Sequence, residues 1–323
     1  MGNARYIGRI GSLAVALGIG AGLAATPWAA SAKPSDSDSA KSPPGQNVSI
    51  SVNGVVRKDS PTTEATTTIG EHSRAVARGA GSTADATNCN RCTATATGTG
   101  STARTNGCTG NKATVKGDNS TATAGDGNNN TATVHGDNSL AFATFGDNNT
   151  ATVHGDNRSG ASAGRGDNNT ATVRGDTSIA STMFGNNNTA TTAGDNSQAF
   201  AGGVARVGFG DNNTATIHGD GSEATANLGD NNTATVDGDG SRAGAGTFGF
   251  GNTATVTGND SEAFATFGDN NTATVQGDTS TASAGTGNCN TATVHGDDSS
   301  ATAGPGNCNT ATAIGDNVDV SMP

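Results

Sequence analysis

The chain has 323 residues, a formal net charge of −11, 49 glycines and only 3% aromatic residues. An acid excess combined with one Trp and one Tyr leaves neither a basic track nor a stacking platform, which sets nucleic acid aside as a partner. So few large apolar side chains also exclude a conventional thick core, and any order has to come from a repeating scaffold.

In chain order, Arg5 and Arg9 precede an apolar run from Leu13 to Ala25, which is too short for a stable bilayer anchor. The run leads to Ala30-Ser31-Ala32, an A-x-A cleavage pattern. Residues 1–32 therefore read as a signal peptide, residues 33–47 as a Ser-, Pro-, Asp- and Lys-rich linker, and residues 48–59 as a capping region around the alternating strand Val48 to Val52. The expectation is an exported protein, secreted or held at the cell surface, with no transmembrane anchor in the mature chain.

Residues 60–323 repeat a unit of about nineteen residues, well seen from Gly127 to Phe145 as GNNNTATVHGDNSLAFATF. A unit that short cannot bury its own apolar face, so it reads as one coil of a stack of about thirteen. Each coil has two halves, each a Gly-Asp-Asn turn followed by strict alternation. The turn residues suit positive φ, and the period of two suits a strand with one buried face. The expected fold is all-β: a flat, narrow, two-sheet parallel β-solenoid with a loop insertion near residues 202–209. In the example coil Ala132, Val134, Ala141, Ala143 and Phe145 point inward on this pattern, with Thr131, Thr133, Leu140, Phe142 and Thr144 outside. Ile69, Phe145, Phe184, Leu228, Phe248 and Phe267 are expected to fill a bulky corner. Asn130, Asn149, Asn169 and Asn188 should form an Asn ladder.

Cysteines follow the register. Cys89 and Cys108 share one position of adjacent coils, as do Cys289 and Cys308, and neighbouring coils about 4.8 Å apart fit the Cα spacing of a disulfide. Two inter-coil bonds are expected, Cys89 with Cys108 and Cys289 with Cys308. Cys92 is left over: competing with Cys89, staying free and pairing between molecules are all open to it. A zinc site at the Cys89-x-x-Cys92 motif lacks a second C-x-x-C or a nearby His.

Outward columns are the candidate functional features. The first is Asp118, Asp137, Asp156, Asp176, Asp195, Asp220 and Asp239, continuing toward the C-terminus and interrupted by Asn259. Stacked carboxylates repel, so bridging Ca²⁺ is one reading; Asp in a solvated turn is the plain one. The second column pairs Thr131 and Thr133, Thr150 and Thr152, Thr170 and Thr172, Thr189 and Thr191, Thr214 and Thr216, Thr233 and Thr235, Thr253 and Thr255, and Thr272 and Thr274, with two further pairs after them. That flat array is similar to the ice-binding face of β-solenoid antifreeze proteins, though Thr also packs well against its own copy in a ladder. A third column holds His135, His154, His218 and His295. Phe142, Phe200 and Phe264 stand outward on the other sheet as candidate contact aromatics. No catalytic constellation, phosphate loop or H-E-x-x-H is present, so no enzymatic activity and no cofactor beyond a possible Ca²⁺ is expected.

The motif Gly146-Asp147-Asn148-Asn149-Thr150-Ala151-Thr152-Val153 resembles the head repeats of trimeric autotransporter adhesins, and Gly249-Phe250-Gly251-Asn252-Thr253-Ala254-Thr255-Val256 is similar to curlin repeats. The first resemblance implies an adhesive β-roll and the second an extracellular β-fibre. The coiled-coil stalk and barrel anchor of the one and the regularly placed Gln of the other are missing. The segment from Arg5 to Gly11 with the apolar run after it resembles export signals of mycobacterial and related actinobacterial proteins. Together these features lead to the expectation of a secreted structural or adhesive repeat protein whose partner is a cell-surface or matrix component or another copy of itself.

Overall fold

The computed structural model describes residues 40–41, 47–68, 72–107, 109–203 and 210–323. The proposed signal peptide, most of the linker, Ile69, Cys108 and most of the insertion lie outside the described residues. The described residues form two sheets of 16 and 14 strands and contain no helix. From Glu64–Thr67 onward, strands alternate between the sheets along the chain. Within each sheet every repeat strand pairs in parallel with its equivalents one coil before and one coil after, as Thr131–His135 does with Lys112–Lys116 and Thr150–His154. The fold is the two-sheet parallel β-solenoid that the repeat implies.

The alternation decides which atoms are buried. Ala132, Val134, Ala141 and Ala143 have no exposed surface, and the same four positions supply nearly all of the core along the stack. Methyl and isopropyl groups bury little area each, so the stack relies on hydrogen bonds running from coil to coil. Asn130 and its equivalents from Asn111 to Asn290 are buried, while Asn309 in the last coil is half-buried. The Asn149 backbone N–H donates to Asn130 Oδ1 at 2.9 Å, while Asn130 Nδ2 donates to the Gly146 carbonyl at 2.7 Å. At the opposite turn Ser takes that role: the Ser139 N–H donates to Ser120 Oγ at 3.0 Å, and Ser120 Oγ donates to the Gly136 carbonyl at 2.7 Å. Most of these buried polar side chains are thus satisfied by the next coil, as burial demands, while the Asn271 and Asn309 Nδ2 groups are left without a partner.

Glycine at the head of each turn follows from how closely the coils approach. A Cβ on Gly146 would lie 2.1 Å from the Gly166 carbonyl oxygen, and the residue has φ +137, a conformation that L side chains rarely adopt. The N-terminal end departs from the parallel plan. Val48–Val52 and Val55–Asp59 form an antiparallel hairpin, and Val48–Val52 pairs antiparallel with Arg74–Arg78. At the other end Asp319–Met322 continues the second sheet in parallel, with Val318 and Val320 partly buried against the core.

The corner is where the inward and outward assignment is corrected. Phe145 is 56% exposed, not packed inside, and Phe248 and Phe267 stand out equally. Phe184 and Leu228 are half-buried. Phe145, Leu228, Phe248 and Phe267 have φ of 61, 54, 64 and 55, so the chain leaves the extended conformation there and the side chain turns outward. The same column holds Asp126, Arg165 and Thr286, all exposed.

Candidate functional site

The two outer faces differ in chemistry. On the first sheet, Thr131 aligns with Thr150 and Thr133 with Thr152. The double row continues without a break through Thr170 and Thr172, Thr189 and Thr191, Thr214 and Thr216, Thr233 and Thr235, Thr253 and Thr255, Thr272 and Thr274, Thr291 and Thr293, to Thr310 and Thr312. At the strand ends, the His135 and His154 rings meet edge to face with centroids 5.0 Å apart. Burial holds the His135 imidazole below the ordinary histidine range, helped by His154 and Lys116.

The Asp column sits on the turn after the Thr strands, and its geometry gives it a structural job. Asp137 Oδ1 accepts the Asp118 backbone N–H at 2.7 Å, Asp156 Oδ1 accepts that of Asp137, Asp176 that of Asp156, Asp195 that of Asp176, Asp220 that of Asp195 and Asp239 that of Asp220. Asn259 enters the same ladder, accepting the Asp239 N–H at 2.9 Å. A parallel ladder runs through the other turn, where Asp167 Oδ1 serves Asp147 and Asn186 Oδ1 serves Asp167. Asp and Asn interchange in both rows, so the requirement is for an acceptor oxygen. Among the described residues no group of three or more His, Cys, Asp or Glu is arranged to hold a metal ion.

The cysteines are arranged differently from the expected inter-coil bonds at the N-terminal end. Cys89 is bonded to Cys92, with Cα atoms 5.7 Å apart and both residues buried. Arg91 at φ +58 tightens the turn between them and brings the two side chains together, which leaves no Cys89 thiol for Cys108. Cys289 and Cys308 are exposed and unbonded, yet they stack on adjacent coils as expected, and a hydrogen bond from one thiol to the other raises the Cys308 pKa.

Every phenylalanine of the chain that lies among the described residues is on the outer face of the second sheet or on the turn that follows it. Phe142, Phe200 and Phe264 are half-buried on the sheet, while Phe145, Phe248, Phe250 and Phe267 are exposed beside it. The Phe264 ring lies over Gly244 of the neighbouring strand, and the Arg165 guanidinium sits 4.7 Å from the Phe184 ring centroid. The corner column was not expected as a surface. The sequence signal that exposes it is the presence of Asp126 and Arg165 in a column otherwise read as interior. On this sheet Arg242 bridges Glu223 and Glu262 at 3.2 and 3.3 Å beside a shallow depression of about 150 Å³, below the usual size of a small-molecule pocket. Among the described residues no helix is long and apolar enough to cross a membrane. No protein-family model matches this chain and no curated protein matches it, so the likeness to autotransporter heads and curlin rests on the repeat motifs alone.

Proposed function

We propose that this chain is an exported structural element of the cell envelope or extracellular matrix that makes adhesive or self-associating contacts through its second sheet. The observation carrying this reading is the placement of the aromatic side chains. A repeat protein that can barely fill its core leaves its described phenylalanines on or beside one outer face, exposed or only half-buried in the isolated chain. Apolar surface concentrated in this way marks a contact surface. Replacing Phe142, Phe200 and Phe264 together with Ser should reduce retention on an apolar surface several-fold, with the circular dichroism spectrum unchanged. Retention equal to that of the unmutated chain removes the reading.

A second reading is favoured by one specific observation, the unbroken register of the paired Thr rows. A flat array of that kind suits an ordered water or ice lattice. On the adhesive reading the unmutated protein has no thermal hysteresis. Clear hysteresis that Thr152→Tyr or Thr235→Tyr abolishes, with the fold intact, reverses the order of the two.

A further inference from the structure

The aromatic pattern on the second sheet reads the same in both directions along the stack. In successive strands from Leu140–Thr144 to Glu262–Thr266, the central outward residue is Phe142, Ser162, Ser181, Phe200, Thr225, Gly244 and Phe264. An aromatic therefore recurs every third coil, separated by two small residues on either side of Phe200. The corner column places an aromatic three coils away on each side of the same strand, and between these ends it sets Arg165 opposite Phe248 and Phe184 opposite Leu228. Phe145, Arg165 and Phe184 precede it and Leu228, Phe248 and Phe267 follow, with the intervening corner residue outside the described residues.

Two-fold pairing of identical surfaces requires that residue i meet residue j while j meets i, and a pattern symmetric about its centre meets that requirement. We propose that the second sheet is the interface of a homodimer in which two copies pack face to face with their stacks reversed, about an axis running along the strands near Phe200. This rests on the contact role given to that sheet and names its partner as a second copy of the chain. The corner decides the orientation. Reversing the stack while keeping strand direction sets Phe145 beside the partner copy's equivalent of Phe267, and Arg165 beside the equivalent of Phe248. Keeping the stack parallel reverses strand direction and leaves each corner column outside the contact.

The area is sufficient. Seven strands about 4.8 Å apart, each about 17 Å long, cover roughly 500 Å² per copy before the corners are counted, which brings the pair to the ~1,000 Å² expected of a specific interface. The ionised side chains on this part of the sheet are Glu223, Arg242 and Glu262, which pair with one another along the edge away from the corner.

Sedimentation velocity of the full chain at micromolar concentration should give a dimer, and Phe142, Phe200 and Phe264 replaced by Ser should give a monomer. Leu at the same three positions should restore the dimer, because the apolar contact is kept. A nitroxide on Thr123→Cys, with Cys108, Cys289 and Cys308 replaced by Ser, reads the orientation by pulsed electron–electron double resonance. Reversed stacks place the two labels about 35–45 Å apart, whereas parallel stacks place them under ~20 Å. A short distance overturns the reversed geometry. A monomer at every concentration overturns the dimer, and if that monomer still binds an apolar surface through its Phe residues, the contact role of the sheet survives the loss.

Discussion

Each turn residue is defined by the partner one coil away, and this separates positions that look alike in sequence. Asp156 accepts the Asp137 N–H with one carboxylate oxygen, a task that Asn259 performs elsewhere with an amide oxygen. Asp156→Asn should therefore leave the unfolding free energy within about 0.5 kcal/mol of the unmutated chain, while Asp156→Ala loses an acceptor and costs about 0.5–1.5 kcal/mol, read from denaturant midpoints. Asp85 is a different case. Burial raises its carboxyl pKa above the ordinary aspartate value; a hydrogen bond with Thr87 and the charge of Arg104 offset part of this, and Glu64 adds to the rise. Its Oδ1 is buried without a hydrogen-bond partner. A carboxyl with a raised folded-state pKa binds its proton more tightly when folded, so its contribution to stability is present in acid and lost as pH rises through that pKa. Asp85→Asn should melt above the unmutated protein at neutral pH, and the gap should close on acidification toward pH ~4. A gap that widens in acid reverses the assigned sign.

At the scale of strands and turns, legibility followed from periodicity. Thr131 to Val134 alternate strictly, and the buried set is the one the alternation names. The Asn ladder was also readable, since a buried amide repeated once per coil has few partners other than its own copy. What the alternation misplaced was Phe145. It falls in phase with Ala141 and Ala143, but a period of two holds only while the backbone stays extended, and φ +61 ends the strand one residue earlier. Gly146 directly after it is required by the carbonyl of the next coil, so the turn has to begin on whatever residue precedes the glycine. The Cys89 to Cys92 bond was hidden for a related reason. The repeat register favours partners one coil apart, while the positive φ at Arg91 makes a partner three residues away available first. Candidate surfaces were legible as columns, but which column is apolar and exposed depended on these departures from alternation.

Over the whole molecule the chain's acidity sets the terms of stability. A net charge of −11 is carried largely by Asp in two columns, with like charges one coil apart and no compensating metal cluster among the described residues. Such a column stores repulsion that mobile ions screen over a Debye length of about 8 Å at physiological ionic strength, roughly the distance between next-nearest coils. Sodium chloride should accordingly raise the melting temperature by several degrees between low and physiological ionic strength, and should strengthen the reversed dimer in the same range. Calcium poses a sharper question. One oxygen of each ladder carboxylate is already committed to a backbone N–H, and Asn replaces Asp without breaking the ladder, so the column holds together through acceptor geometry. At matched ionic strength, millimolar Ca²⁺ should therefore give no gain over sodium chloride that EDTA removes. A site that bound Ca²⁺ only in the folded chain would instead raise the melt in proportion to the logarithm of free Ca²⁺ above its dissociation constant. An EDTA-reversible rise of that form would assign the Asp column to cation binding and make the Asn positions gaps in a metal-bridged row.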